Sequence, residues 1–267
     1  MSSQTSIHGE IREQQQKTKD MNMKDKLKYF WYYYKVHTIV AVGLIALVIM
    51  LVRQYASNKE YALYVTLINA ELIHLADNEW DSEFEEYAGI DTNEYCAYID
   101  TSIGLSNASS PYAIVGTEKL FALLEADVID VIVSDTDTFE KYAQEELFLN
   151  LESALPAVML DKYRDSLYYT DASTFGSEGA DTSFTLEDVE KSDTTVINHR
   201  DPSSMEQPVP VGICLSEGNK ITDSGCYDYL KENNVTFQGY PAEAILGIPL
   251  DAQHFDMVLN FLEFLEE

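Results

Sequence analysis

Residues 117–146, TEKLFALLEADVIDVIVSDTDTFEKYAQEE, decide the fold. At their centre, Val128-Ile129-Asp130-Val131-Ile132-Val133-Ser134 is a short, mostly β-branched apolar run. A run of this length without polar alternation reads as a strand buried on both faces. Before it, Thr117 is placed to cap a helix over 118–125. After it, Asp135 or Thr136 opens a second helix that continues through 139–146. Helix, buried strand and helix in succession define an α/β architecture, with a parallel sheet and crossover helices expected.

Working outward, 61–69 (YALYVTLIN) is β-branched and aromatic, a strand. A helix is predicted over 79–87, where Trp80, Phe84 and Tyr87 share one face and Gly89 ends it. A strand is expected over 94–103. Downstream, 147–151 and 160–163 read as connecting pieces, and 171–207, rich in Asp, Ser, Thr, Glu and Gly, as a long acidic surface loop or a partly disordered stretch. Strands follow over 209–215, 235–237 and 244–249, with a helix over 227–232. The end, 251–266, is an amphipathic helix with Asp251 as its expected cap. Phe255, Val258, Leu259, Leu262 and Leu265 form its inner face.

The chain has 267 residues, enough for one or two domains. Its 17 Lys and Arg face 46 Asp and Glu, a net charge of −29. Nucleic acid is excluded as a partner, because binding phosphates needs a basic face. The charge is divided unevenly. Residues 1–53 carry eight basic and four acidic residues, whereas 54–267 carry nine basic and 42 acidic.

Between the two lies TIVAVGLIALVIMLV, residues 38–52, with no charge. Extended back to Tyr32, the run reaches 21 residues, and about 20 are needed to cross the hydrocarbon of a bilayer. The run ends at Arg53 without a small-x-small cleavage pair, which favours a permanent anchor over a cleaved signal peptide. The aromatic block Tyr29-Phe30-Trp31-Tyr32-Tyr33-Tyr34 suits the headgroup level. A buried core helix is the other reading, and it would leave Lys28, Lys35 and Arg53 bracketing an interior segment.

Six Lys precede the span closely (17, 19, 24, 26, 28, 35), against Arg53 and Lys59 after it. The positive flank stays in the cytoplasm. The expected organisation is therefore a cytoplasmic tail over 1–28, an anchor over 29–53, a tether over 54–60 and an extracellular domain over 61–267. The expected location is the cell membrane, in a single pass, with residues 32–52 in contact with lipid.

Cys96, Cys214 and Cys226 are odd in number, so at least one is unpaired within the chain. Cys214 with Cys226 as a bridge, or three buried thiols, both remain open. No C-x-x-C, H-E-x-x-H, G-x-S-x-G or phosphate-cradling loop occurs, and no catalytic residue, metal or cofactor is expected. Asp135-Thr136-Asp137-Thr138 after an apolar strand is similar to the opening of a haloacid-dehalogenase-like phosphatase. Phe139 stands where that pattern wants Thr or Val.

Three stretches carry a broader resemblance. One is 119–132 (KLFALLEADVIDVI), a helix and then a short strand beginning near an Asp. Another is Leu147-Phe148-Leu149-Asn150-Leu151. The last is Leu246-Gly247-Ile248-Pro249-Leu250-Asp251, leading into a helix that ends Phe261-Leu262-Glu263-Phe264-Leu265. In these the chain resembles a type 2 periplasmic solute-binding protein with a trimmed second lobe, preceded by one transmembrane helix. The whole chain looks like single-span, solute-binding-like surface proteins of Gram-positive anaerobes. The resemblance implies an α/β fold and a small solute or peptide held between lobes, with a membrane protein as a further partner. An interaction or scaffold domain without a small ligand is the alternative.

Ligands of open α/β sheets sit at the carboxyl ends of the strands. The candidates are then Asn69 after the first strand, Ser134, Asp135 and Thr136 after the central strand, and Tyr240 before the return strand. Asp135 and Thr136 also suit a plain helix cap, and Tyr240 plain packing.

Overall fold

The computed structural model describes residues 22–57, 59–71, 75, 79–106, 110–175 and 197–267. The chain divides into two units, Met1–Asn58 and Lys59–Glu267. In the first, a single helix, α1 (Met23–Ser57), contains the stretch Tyr34–Arg53, long and apolar enough to span a membrane. None of that stretch is buried, which argues against a core helix. The helix takes in residues 54–57 of the expected tether, and the first strand starts at Glu60.

The second unit is built on a six-stranded sheet of order β2-β1-β3-β8-β5-β4. Its strands are β1 (Glu60–Leu67), β2 (Tyr95–Asp100), β3 (Val131–Asp135), β4 (Leu167–Asp171), β5 (Pro208–Cys214) and β8 (Ala244–Gly247). A separate hairpin pairs β6 (Thr236–Phe237) with β7 (Tyr240–Pro241). The expected parallel sheet forms over β2-β1-β3. Beyond β3 the neighbours are antiparallel, because β8 returns beside it and β5 pairs with β8. Strands β2, β1, β3 and β5 therefore point the same way, and their carboxyl ends share one end of the sheet.

Alternation along the strands builds two cores. Leu63, Val65 and Leu67 of β1, with Val131 and Val133 of β3, face one side. There they meet Phe84 of α2 (Trp80–Ala88) and Val258 and Phe261 of the last helix, α9 (Phe255–Phe264). Tyr64, Ile68 and Ile132 face the other side. Those pack against Leu120 of α3 (Pro111–Glu125) and Phe139 and Tyr142 of α4 (Thr136–Gln144). Every residue of β3 is buried, as a strand covered by helices on both faces requires. Among the described residues this unit also has four short helices: α5 (Leu151–Ala154), α6 (Ala157–Tyr163), α7 (Lys220–Asp223) and α8 (Asp228–Glu232).

Two glycines face each other across the β5–β8 pair, Gly212 opposite Gly247. Their missing side chains leave room for the rings of Phe139 and Phe148, stacked 4.3 Å apart. A Cβ on Gly247 would come within 2.6 Å of Phe148 and 2.7 Å of Phe139.

Several local expectations are corrected. Thr117 caps nothing, because α3 begins six residues earlier, with Pro111 in its first turn and the Ser110 hydroxyl accepting from the Tyr112 N–H. Thr117 lies mid-helix and its hydroxyl donates to the Ala113 carbonyl at 2.8 Å. Asp251 does not cap α9, which starts at Phe255. The buried carboxylate of Asp130, at the foot of β3, instead accepts the N–H groups of Gln253 and His254, at 3.1 and 2.9 Å. A distant carboxylate thus fixes the two residues that lead into α9, whose first turn has no side-chain cap. Strand β4 has no counterpart in the sequence reading, and it absorbs Asp171 from the start of the expected loop. Two 3₁₀ turns, Ala172–Thr174 and Pro202–Ser204, follow it, and 176–196 of that loop lie outside the described residues. All three cysteines are free.

Candidate functional site

The order 2-1-3 places a topological switch between β1 and β3, because the chain leaves β1 to one side for β2 and to the other for β3. Asn69 lies just past β1 in a left-handed conformation, φ 61°. Asn tolerates that region better than most residues. Its amide nitrogen donates to Asp135 Oδ2 at 2.6 Å and to Thr138 Oγ1 at 3.0 Å, and its oxygen accepts the Leu105 N–H at 2.5 Å. Asp135 is also the N-cap of α4, accepting from the Thr138 N–H at 3.0 Å. The Tyr227 hydroxyl lies between the carbonyls of Ile68 (2.8 Å) and Val133 (3.1 Å). Burial holds that phenol well above its ordinary pKa, so it serves as a donor. The polar groups at the switch point are thus turned on one another.

The remaining candidates separate. Ser134 is fully buried, and its hydroxyl has no partner among the described residues. Thr136 opens α4 and joins it to the residue before β8, since its hydroxyl donates to the Glu243 carbonyl (3.0 Å) and accepts the Glu243 N–H (2.9 Å). Tyr240 is half-exposed in the β6–β7 hairpin, opposite Phe237. The structure brings Asn69 and Asp135 together and leaves Ser134 and Tyr240 apart.

A cleft of about 230 Å³ opens at this same end of the sheet, between the end of β5 and the start of β8. Leu215, Leu230 and Ala242 supply its apolar lining, with the Tyr227 side chain on the switch-point side. Its charged groups are Arg200, Glu217, Asp228, Lys231 and Glu243. Arg200 pairs with Glu243 and also donates to the Asp165 carbonyl at 3.1 Å. Lys231 pairs with Glu217 at 3.1 Å. Thr136 lies one hydrogen bond from the cleft, through Glu243.

Sequence reasoning missed all five charged residues. Arg200 falls in the stretch read as a solvated acidic loop. Its one available signal was being one of two basic residues, with Lys191, among nine acids in 171–207. The others sit on elements whose charged positions read as ordinary surface.

The site offers a mixed-charge surface with an apolar lining. Burial pushes the Cys214 thiol well above its usual range and the Cys226 thiol up to about 11, so neither is a thiolate. Among the described residues no group of three His, Cys, Asp or Glu could hold a metal ion. Elsewhere in the domain, Glu140 and His199 are buried together, Nδ1 to Oε2 3.6 Å. Glu140 also accepts from Tyr168 at 2.9 Å and from Gln144 at 2.6 Å. Burial pushes its carboxyl up, against the His199, Gln144, Tyr168 and Thr170 contacts that act to lower it.

No known protein family, curated relative or solved structure matches the chain. What the fold defines is a class: a mixed α/β domain whose central sheet is parallel over β2-β1-β3 and antiparallel over β3-β8-β5-β4, on a chain with, among the described residues, one helix long and apolar enough to span a membrane.

Proposed function

We propose that this chain is a single-pass, membrane-anchored binding or sensing module of solute-binding-like fold. Its α/β domain would lie outside the cell and take a small polar solute or short peptide. The observation that carries this is the cleft between the end of β5 and the start of β8, at the same end of the sheet as the β1/β3 switch point. That is where open α/β sheets take ligands. Two ion pairs and Asp228 at the cleft suit a ligand bearing both charges, and the apolar lining suits a small aliphatic or aromatic body. The Lys-rich flank before Tyr34–Arg53 supports the orientation.

A second reading, an interaction or scaffold domain with no small ligand, is favoured by two observations. The cleft is below the roughly 300–1,000 Å³ usual for ligand pockets. The switch-point side chains are already satisfied by one another.

Thermal melting of the Lys59–Glu267 domain against amino acids, short peptides, sugars and calcium, with a chelator control, tests the two. A ligand at about 100 times its Kd adds about 2.7 kcal/mol. A reproducible rise with one chemical class supports the binding module, and a flat response over a cooperative melt supports the interaction domain. The orientation is tested by a reporter fused after Glu267, which is expected to be active only outside.

A further inference from the structure

Helix α3 turns Ala113, Gly116 and Leu120 into the core. A Cβ on Gly116 would lie 2.8 Å from the Gly104 carbonyl, so this side of the helix is seated tightly on the 103–105 segment. Its outer side is unusually apolar for a domain surface. Tyr112 is 87 % exposed, Val115 63 %, Ile114 52 % and Phe121 47 %. An apolar patch of this kind on a folded domain marks a contact surface.

The pattern on that surface says what would cover it. Ile114 and Phe121 stand seven residues apart, as do Val115 and Ala122, and as do Glu118 and Glu125. At 3.6 residues per turn each pair forms a row along the helix axis, and the acidic row runs between the two apolar ones. All six residues are exposed. The neighbouring cation, Lys119, is turned aside to Asp100 at 2.6 Å and Ser102 at 2.8 Å, so it does not neutralise the acidic row.

Rows repeating every seven residues match a helix lying alongside. The central acidic row calls for cations opposite it. A second copy of α3 would set Glu118 and Glu125 against their own kind, on a domain with 42 acids and nine bases over 54–267. A bilayer surface would have to desolvate the same carboxylates.

We propose that the outer face of α3 docks an amphipathic helix of a partner protein, with Lys or Arg running between apolar flanks. This site is separate from the cleft and does not depend on a solute binding there.

The test uses the full chain in phosphatidylcholine nanodiscs and two labelled helical peptides of identical pattern, one Leu/Lys and one Leu/Glu, with empty nanodiscs subtracted. The Leu/Lys peptide is expected to bind and the Leu/Glu peptide not. The double variant Ile114→Ser/Val115→Ser should weaken binding about tenfold or more. Glu118→Gln/Glu125→Gln should weaken it about threefold and flatten its salt dependence. Glu83→Gln/Glu86→Gln on α2 makes the same charge change elsewhere and should leave affinity within about twofold. If the serine pair lowers the melting temperature, Tyr112→Ser supplies the apolar test at a position too exposed to disturb folding. Equal losses from the α2 and α3 acid variants would reduce the binding to diffuse charge attraction and overturn the proposal. Full affinity in the apolar variants, no binding of the Leu/Lys peptide, or self-association through α3 would overturn it as well.

Discussion

Asn69 and Asp135, 66 positions apart in the chain, meet at 2.6 Å where β1 and β3 end. The contact ties the two central strands together at the point where an open α/β sheet would otherwise present free polar groups to a ligand. Asn69 spends its oxygen on Leu105 and its nitrogen on Asp135 and Thr138, and adopts φ 61° to do so.

Replacing Asn69 separates these roles. Asn69→Ala places a Cβ-bearing residue without a local hydrogen bond in the left-handed region and leaves the Leu105 N–H and the Asp135 carboxylate short of partners. A loss of about 2–4 kcal/mol is expected in denaturant unfolding. Asn69→Gly relieves the backbone part and should recover about 1 kcal/mol of it. Equal losses for the two variants would place the whole cost in the side chain.

Gly247 is predicted to accept no side chain at all. Its Cβ would lie 2.6 Å from Phe148 and 2.7 Å from Phe139, and those rings are held against each other in a tight stack. Gly247→Ala should therefore destabilise the domain by about 1–3 kcal/mol through overpacking. Phe148→Leu in the same chain should return part of that loss. A double-mutant cycle of melts checks this, with a coupling near zero as the outcome that would show the stack yields freely.

The halves of the fold differ in how far the sequence declares them. β3 was legible because Val131, Ile132 and Val133 are apolar on both faces, and α9 because Val258, Leu262 and their neighbours repeat at helical spacing. β4 was not, since LYYTD is five residues long and runs straight into polar chain. The start of α9 does not follow from the sequence because the chain entering it, at Gln253 and His254, is held by Asp130, more than 120 residues away, and no local motif reports that. The site divides in the same way. Asn69 and Asp135 follow from the strand-end rule. The cleft brings Arg200, Lys231 and Glu243 together from three separate stretches, and only the β3-β8-β5 arrangement makes them neighbours.

Arg200 offers a way to separate binding from folding. Its ion pair with Glu243 is partly exposed, and pairs of that kind are worth about 0–1 kcal/mol. Arg200→Gln should leave the melting temperature of the free domain within a few degrees. Under the binding reading it should remove most of the stabilisation given by any anionic or zwitterionic ligand found in the screen. Calorimetric melts with and without that ligand check both halves. A variant that keeps the full ligand-dependent shift would move the ligand away from this cleft.

Acid should loosen the domain through Asp171 at the end of β4. Burial alone would raise its carboxyl pKa, but the N–H groups of Glu206, Ser173 and Gln207 and the Ser173 side chain outweigh that and hold it at about 2. The Glu206 N–H reaches Oδ2 at 2.8 Å, and those of Gln207 and Ser173 reach Oδ1 at 3.0 Å each. The folded chain thus binds this proton less readily than the unfolded chain, whose Asp titrates near its ordinary 3.8. The stabilisation is complete above pH 4 or so and is lost as pH falls toward about 2. Glu140 works in the opposite sense, because its carboxyl is raised by burial. Its contribution is present below its ordinary 4.5 and is lost as pH rises through the folded value. Asp171→Asn turns an amide N–H toward one of the three donors and should cost about 1–3 kcal/mol at neutral pH. The gap from the natural chain should narrow as pH falls from 4 to 2, because the natural chain loses there what the variant never had. Denaturant midpoints at neutral pH and at several points through that acid range measure the gap. A gap that stays constant would mean that the carboxylate charge at Asp171 contributes nothing to holding the chain after β4.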